Sequence, residues 1–217
     1  KPAGLLSQAA AQGDDNLLDR CKSYLKLKYN KPGNVYLGLV HRLDRNVSGV
    51  VVLARTSKAA SRLTKAFKSR DLEKLYLAVV KGAPPARGKL THHLAPNPRG
   101  RGVVQARDGK EARLSYQRLA SHEGLSLLSI QLETGRKHQI RAQLSMSGMP
   151  LVGDPLYGET TPHLRRPALL ASILSFDHPV GGAPLQIMAS IPDDLRRLLG
   201  RFQLLDAATI SRNEGLG

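Results

Sequence analysis

Residues His41–Gly49 read HRLDRNVSG and lie between two predicted strands, Val35–Val40 and Gly49–Ala54. The second strand is rich in valine, which is typical of a buried strand. Asp44 is therefore expected on a loop that a rigid scaffold positions, and such loops often carry functional sites. The positive charge of two neighbouring arginines favours the ionised form of an aspartate. An ionised aspartate is suited to act as a nucleophile or a base.

The two arginines beside this aspartate are Arg42 and Arg45, and they are predicted to hold an anionic substrate. The same residues also allow plainer interpretations. Asp44 can form a surface ion pair with an arginine, or it can cap its own turn. Such loops are common, so the residues of this stretch, taken alone, favour the plainer interpretations.

A second basic stretch, Thr134–Arg141, reads TGRKHQIR and is predicted to open a helix. His138 and Arg141 are three positions apart and share one face of that helix. Arg136 and Lys137 stand at its start, where cations oppose the helix dipole. A bound phosphate or carboxylate would offset this unfavourable placement, and a solvated basic turn explains the pattern equally well.

The other segments predict a mixed α+β fold. Further strands are predicted over residues 75–80, 112–120, 125–132, 169–176 and 185–191, with helices after Asp14-Asp15, after a Ser57 cap, and over 137–146 and 193–199. Residues 83–111 contain four prolines and are predicted as a loop. Strands outnumber helices and occur in hairpin-like pairs, which favours a mixed, mostly antiparallel sheet. We expect a single domain over residues 1–217, with a tail from about residue 200.

The composition is strongly basic, with 33 Lys and Arg against 17 Asp and Glu and a net charge of +16. Such an excess indicates nucleic acid or an anionic membrane surface as the partner. No apolar run approaches the roughly 18 residues of a membrane span. The basic helix after Ser57 has a mostly alanine apolar face, which inserts poorly in lipid, so no membrane partner is expected. A single cysteine excludes a disulfide framework and favours the cytoplasm. Aromatic residues are 4%, which argues against rows of stacked bases.

Several enzyme classes lack their characteristic residues in this sequence. There is no phosphate-binding P-loop and no dinucleotide-binding glycine motif, so no nucleotide cofactor is expected. The single cysteine rules out the zinc-deaminase motif. The seven histidines lack metal-ligand spacing, and no G-x-S-x-G motif marks a serine hydrolase. No metal and no other cofactor are therefore predicted.

Five stretches resemble, in order, the motifs of the RluA family of RNA pseudouridine synthases. His41–Gly49 resembles the H-R-L-D-x-x-[ST]-[ST]-G signature, and Thr134–Arg141 followed by Gly148–Gly158 resembles the G-R-x-H-Q-I-R…G-D-x-x-Y-G block. The other three similar stretches are KPAGL at 1–5, KLY at 74–76 and FDHP at 176–179. The family's first motif normally follows a short strand, which we expect to be missing here. Without an S4-type domain, the chain resembles the compact single-domain members.

The resemblance implies an isomerase that converts uridine to 5-ribosyluracil in structured RNA, either rRNA or tRNA, without a cofactor. It implies that Asp44 is the catalytic aspartate, acting on the sugar as a nucleophile or as a base at C2′. Arg141 would pair with that aspartate, and Tyr76 would lie against the target base. Arg42 would enter the RNA stack as the uridine leaves, because a base must be flipped out before it can react, and a planar guanidinium can stack in the gap.

A stripe of cations follows Ser57 at helical spacing, in a segment without acids between Arg45 and Asp71. The stripe is predicted to bind successive phosphates of an RNA backbone, and a solvated face is the plainer alternative. The predicted RNA-binding residues are Arg42, Arg45, Lys58, Arg62, Lys65, Arg136, Lys137 and His138, and Lys68 continues the stripe.

Two functional hypotheses remain open at the level of sequence. One is a monomeric RNA pseudouridine synthase, and the other is a non-catalytic RNA-binding or ribosome-assembly protein on the same fold. Both require the basic charge. Asp44 favours the enzyme, because an acid placed among phosphates repels them and gives a pure binder no benefit.

Overall fold

The computed structural model describes residues 1–69 and 71–207. Four helices lie among them: α1 (Leu17–Lys28), α2 (Ser57–Ser69), α3 (Gln139–Met146) and α4 (Asp193–Arg201). The described strands are β1 (Gly38–Leu39), β2 (Ser48–Gly49), β3 (Leu53–Ala54), β4 (Leu72–Lys81), β5 (Arg87–Pro96), β6 (Val103–Gln105), β7 (Lys110–His122), β8 (Leu125–Leu132), β9 (Leu169–Asp177) and β10 (Pro184–Met188).

The large sheet has the strand order β10-β9-β4-β8-β7-β5-β6, and neighbouring strands along this path are antiparallel. β2 adds to β9 in parallel, whereas β1 and β3 form a separate antiparallel pair. The predicted mixed, mostly antiparallel α+β fold is therefore confirmed. The single-domain assignment stays a prediction.

Both faces of the sheet are covered by apolar side chains. On one face, Leu128 and Ile130 of β8 pack in a cluster with Ile140 and Leu144 of α3. On the other face, Leu127 of β8 belongs to the cluster that the leucines of α4 fill. The sheet thus lies between two small cores, and the first core also holds the loop that carries Asp44.

The loop prediction for residues 83–111 is wrong, because β5 and β6 lie in this segment. β5 alternates exposed and half-buried residues over much of its length, so it lacks the apolar run of a central strand. Pro84 and Pro85 precede β5, and Pro96 ends it. Prolines at the ends of a strand leave its internal hydrogen-bond ladder intact, so they do not mark a loop here.

Other differences concern element ends. The segment 49–54 is two short strands rather than one, and the strand predicted over 35–40 keeps only two residues. Asn16 caps α1 by accepting from the Asp19 amide, and Thr56 rather than Ser57 accepts from an amide in the first turn of α2. The predicted tail begins later than residue 200, because α4 continues to Arg201 and Leu204 is buried. The rest of that tail, 208–217, lies outside the described residues.

Gly49 ends the strand that follows Asp44, and we expect Gly49→Ala to destabilise the protein by about 2–4 kcal/mol. Its φ is +135°, and an added Cβ would lie 2.3 Å from the Ala171 carbonyl oxygen of β9. Backbone strain and overpacking each contribute roughly 1–3 kcal/mol. Denaturant unfolding checks this value. Gly33→Ala is the control, because its Cβ would meet open space; equal stabilities of the two variants would contradict the prediction.

Candidate active site

A cavity of about 480 Å³ opens where the Asp44 loop, β4, α3 and the end of α2 meet. The loop lies between β1 and β2, and its Leu43 is buried in the core below. The Ser7 hydroxyl accepts from the Leu43 amide and donates to the Leu43 carbonyl, so the N-terminal segment fixes the loop from outside. Polar and apolar side chains both line the cavity, and the apolar ones include Leu43, Val47 and Leu169.

Asp44 and Arg141 form the central ion pair of the cavity. The Arg141 Nη1 donates to Asp44 Oδ2 over 3.1 Å, although the two residues are 97 positions apart in the chain. The other edge of the guanidinium donates to Asp154 through Nε and Nη2, each over 2.8 Å. Arg141 therefore bridges two carboxylates, and the bidentate contact fixes the direction in which it presents Nη1.

Asp154 is the more deeply buried of the two carboxylates that Arg141 contacts, and none of its surface is exposed. Burial disfavours its charge, but the hydrogen bonds from Arg141 and from the amides of Leu156 and Tyr157 outweigh burial and lower the pKa of Asp154. A buried carboxylate of this kind is stable only while its partner is present. Asp154 thus keeps Arg141 in place, and Arg141 keeps Asp154 charged.

His138 approaches Asp44 from the same helix start. Its Nε2 lies 3.7 Å from Asp44 Oδ2, and its Nδ1 lies 3.0 Å from the Tyr157 hydroxyl. That hydroxyl already accepts from the Val103 amide, so it is free to donate its own proton to Nδ1. In the neutral tautomer whose Nδ1 accepts from this hydroxyl, the ring proton sits on Nε2 and faces Asp44. Burial lowers the pKa of His138 despite the neighbouring carboxylate, which favours this neutral form.

Tyr76 lines the cavity from β4, where it pairs with Ile130 of β8 and Ala171 of β9. Burial, followed by the charge of Asp44, raises the pKa of Tyr76 above its ordinary value. The phenol is therefore neutral at physiological pH. A neutral phenol offers a flat ring and one hydroxyl proton to any group that enters the cavity.

His41 has a supporting position at the start of the loop. Its ring stacks on Phe67 of α2 at 4.4 Å, and its Nε2 accepts from the Val52 amide. Burial, with a smaller contribution from Lys74, lowers the pKa of His41 to about 4. The imidazole is thus neutral near pH 7, and it joins α2 to the loop rather than carrying charge in the cavity.

Two glutamines explain why the TGRKHQIR stretch folds into a fixed helix start. Gln139 accepts from the Thr134 hydroxyl and the Arg136 amide, and it donates to the Arg113 carbonyl of β7. One turn later, Gln143 is fully buried and donates to backbone carbonyls of β5 and β7. The sheet therefore holds α3 from below, and Arg141, between the two glutamines, points toward Asp44.

The sequence-predicted residues divide into two groups. The cavity is lined by Arg42, Asp44, Tyr76, Arg136, His138 and Arg141. The remaining ones lie outside the cavity wall: Arg45, Lys58, Arg62, Lys65 and Lys137. Arg45 donates to the Gly4 carbonyl, and Arg136 donates to the Glu111 carbonyl. These two cations therefore have structural partners as well.

The described residues, 1–69 and 71–207, form neither a metal-binding cluster nor a membrane-spanning helix. No group of three or more His, Cys, Asp or Glu side chains within these ranges is arranged to hold a metal ion. No helix within them is both long and apolar enough to cross a bilayer.

The sequence model of the family described as RNA pseudouridylate synthase matches residues 1–146, which include both Asp44 and Arg141. The chain belongs to this family. The RluA-type resemblance of the sequence motifs is thereby confirmed. A human pseudouridylate synthase structure, RNA Pseudouridylate Synthase Domain Containing 4, superposes with a TM-score of 0.77 at 24% identity, over 94% of this chain and 88% of that one. This likeness agrees with the pseudouridylate synthase fold.

Two curated pseudouridine synthases are similar over most of the chain. One from Chloroflexus aurantiacus, named an uncharacterized RNA pseudouridine synthase, is 40% identical over 79% of this chain and 55% of its own length. A ribosomal large subunit pseudouridine synthase D from Xanthomonas campestris is 36% identical over 94% of this chain and 65% of its own length. The chain thus spans somewhat more than half the length of these relatives.

Two residues that contact Arg141 or His138 in the cavity were not among the predicted site residues. Asp154 and Tyr157 both lie in the G-D-x-x-Y-G part of the matched block. Their signal was an acid and a tyrosine in a motif next to the helix that carries Arg141. A local pattern does not reveal that this acid is buried, so its contact with Arg141 emerges only from the fold.

Proposed function

We propose that this protein is an RNA pseudouridine synthase that isomerises uridine within structured RNA without a cofactor. The observation that carries the proposal is the ion pair of Asp44 with Arg141 in an open cavity, backed by the buried Asp154. A preorganised pair of this kind needs no rearrangement during reaction, which is the main source of electrostatic catalysis. Family membership and the names of the relatives support the same reaction.

The reaction exchanges one bond at the sugar. The bond from C1′ to N1 breaks, the uracil turns, and C5 bonds to C1′. The proton of C5 then leaves, and N1 gains one, so the product is an isomer and no oxidant is consumed. Asp44 acts on the sugar, either by attack at C1′ or by removal of a proton at C2′. In either role it reacts as an anion, which Arg141 stabilises.

Tyr76 and Arg42 are proposed to handle the base. A uridine reaches Asp44 only after it leaves the RNA stack. Tyr76 would then lie against the flipped uracil, with its neutral hydroxyl available for proton transfer. Arg42 is exposed at the cavity rim, and its guanidinium would occupy the gap in the stack. Phosphates near the cavity would contact Arg136 and Lys137.

The substrate we propose is rRNA rather than tRNA, and specifically RNA of the large ribosomal subunit. Relatives named ribosomal large subunit pseudouridine synthase D support this choice. The test is to map pseudouridine in rRNA and tRNA from cells with the protein, without it, and with its Asp44→Asn variant. Loss of a pseudouridine that only the unaltered protein restores is expected. An unchanged map would instead support the non-catalytic RNA-binding alternative.

We also propose that the protein acts as a monomer in the cytoplasm. Asp44, Arg141, Asp154, His138 and Tyr157 all come from one chain, so the proposed reaction requires no partner subunit. A ribosomal RNA substrate supports the cytoplasm as the compartment.

The cations of α2 are proposed to bind phosphates beside the cavity, and replacing Lys58, Arg62 and Lys65 with Gln should weaken RNA binding. All three are exposed, and the last turn of α2 contains Phe67 and Lys68, which line the cavity. The slope of log K against log salt should become shallower by roughly two to three units, since each lost phosphate contact removes about one released counterion. Arg62 also donates to the Pro179 carbonyl, so we expect its replacement to contribute least to the change in slope.

Affinity for a structured RNA, measured over a salt series, checks the slope. The single-turnover rate at saturating RNA should stay within about twofold, because these cations lie outside the cavity. A triple replacement of Arg196, Arg197 and Arg201 with Gln removes the same charge from α4, on the opposite face of the sheet from α3, and controls for net charge. An unaltered slope in the α2 variant would contradict phosphate binding by these cations and would indicate that they form a solvated face.

A further inference from the structure

The helix α1 carries large side chains that nothing in the described structure covers. None of its residues is buried. Tyr24 is 59% exposed, Leu27 is 82% exposed, and Tyr29, directly after the helix, is 45% exposed. The spacing of Leu17, Leu18, Cys21, Tyr24 and Leu25 predicts one apolar face for α1, but Leu17, Leu18, Cys21 and Leu25 are only half-buried and Tyr24 is exposed. The low aromatic content of the chain makes this concentration of exposed rings on one short segment unusual.

Cations lie directly against these rings. The Lys28 Nζ is 5.5 Å from the centre of the Tyr24 ring and 5.7 Å from that of Tyr29. The Arg55 guanidinium lies 4.6 Å from the Tyr29 ring and donates to its hydroxyl. We call Tyr24, Lys28, Tyr29 and Arg55 the tyrosine patch. It combines flat rings with positive charge, the two features that bind nucleobases and their phosphates together.

The tyrosine patch is continuous with the basic helix that leads to the cavity. Arg55 lies two residues before α2, and the other end of α2 lines the cavity through Phe67 and Lys68. A helix of 13 residues is roughly 20 Å long. A strand that follows α2 away from the cavity thus reaches the patch within one short RNA segment.

We infer that the tyrosine patch binds unpaired RNA bases that flank the target uridine. This inference rests on the proposed function for its RNA substrate. Between Asp19 and Asp71 the sequence contains a single acid, Asp44, so the surface attracts a polyanion. A second copy of the chain is disfavoured as the occupant, because each copy carries a net charge of +16 and like charges repel.

The test compares two RNAs that share the same structured target, one with a single-stranded extension of about eight nucleotides and one trimmed to the target. The double variant Tyr24→Ala/Tyr29→Ala should bind the extended RNA at least fivefold more weakly than the unaltered protein, since stacking on one ring contributes at least that factor. Both proteins should bind the trimmed RNA equally. The matched control, Tyr24→Phe/Tyr29→Phe, keeps the rings and should keep most of the affinity.

Three outcomes separate this inference from its alternatives. Equal affinities of the Ala variant and the unaltered protein for the extended RNA would overturn it. A dimer of the unaltered protein that the Ala variant loses would also overturn it, since the patch would then bind a second copy. Extension-dependent weakening in a protein that forms no pseudouridine would support the patch and overturn the proposed function instead. The tyrosines are exposed, so the variants are expected to fold normally.

Discussion

Asp44→Asn is expected to abolish the isomerisation of uridine while leaving RNA affinity intact. The amide is nearly isosteric with the carboxylate, so it still accepts a hydrogen bond from Arg141. It has no negative charge, and it serves neither as a nucleophile nor as a base. We expect kcat below about 1% of the unaltered value, because loss of an essential nucleophile lowers rates by several orders of magnitude. Affinity should stay equal or rise, since one negative charge near phosphate is removed.

Pseudouridine formation under single-turnover conditions, with affinity measured on the same RNA, checks both halves of this result. The control is Asp108→Asn, which removes one negative charge from an exposed loop residue. It should leave the rate unchanged. Activity of Asp44→Asn above a few per cent would place the chemistry on another residue. A joint loss of rate and affinity would mean that the substitution damaged binding.

Arg141→Met should impair both catalysis and folding. The substitution removes the donor to Asp44, and loss of one preorganised donor typically lowers kcat by about 10²–10³-fold. It also leaves Asp154 buried without its cation, and breaking a buried ion pair in this way destabilises a protein by about 3–5 kcal/mol. Denaturant unfolding and single-turnover kinetics measure the two effects separately.

The double variant Arg141→Met/Asp154→Asn distinguishes these effects. The side-chain oxygen introduced by Asp154→Asn would still accept from the amides that Asp154 serves, but no buried charge would remain. We expect the double variant to recover at least half of the lost stability while kcat stays low, because Asp44 still lacks its partner. Recovery of activity together with stability would show that Arg141 serves only the fold. Equal instability of the single and double variants would contradict the buried-pair argument.

The elements that are predicted best are those whose apolar side chains pack against the core. The β8 boundaries, Leu125–Leu132, are predicted correctly, because leucines cover both of its faces and a Glu123-Gly124 turn precedes it. β5 is missed because most of its residues alternate between exposed and half-buried and Leu94 is its one buried residue, so the strand has no apolar run. α1 was assigned an apolar face from its spacing alone, and periodicity does not reveal whether a core is present to receive it.

The site was predicted only in part, because its contacts join residues that are far apart in the sequence. Asp44 lies between two arginines in sequence, yet its ion-pair partner is Arg141, 97 positions away. Local patterns do not reach that far, and the pairing was expected only from the family resemblance. Asp154 lies in a matched motif, but the motif alone does not show that this acid is buried beside Arg141. Its burial depends on how the segment after α3 pairs with β4 through Leu151 and Val152, which the sequence does not disclose.

The way β4 is paired has a consequence for the order in which the protein folds. β4 pairs with β8 on one side and with β9, about a hundred residues further along the chain, on the other. β2, next to the Asp44 loop, also depends on β9. Sheets closed by such distant segments fold slowly, because a long loop must be ordered before its contacts form. During synthesis, Asp44 and Arg141 would therefore emerge well before β9 can fix the loop, so a nascent chain lacking β9 would contain the reactive residues without the geometry that makes them reactive.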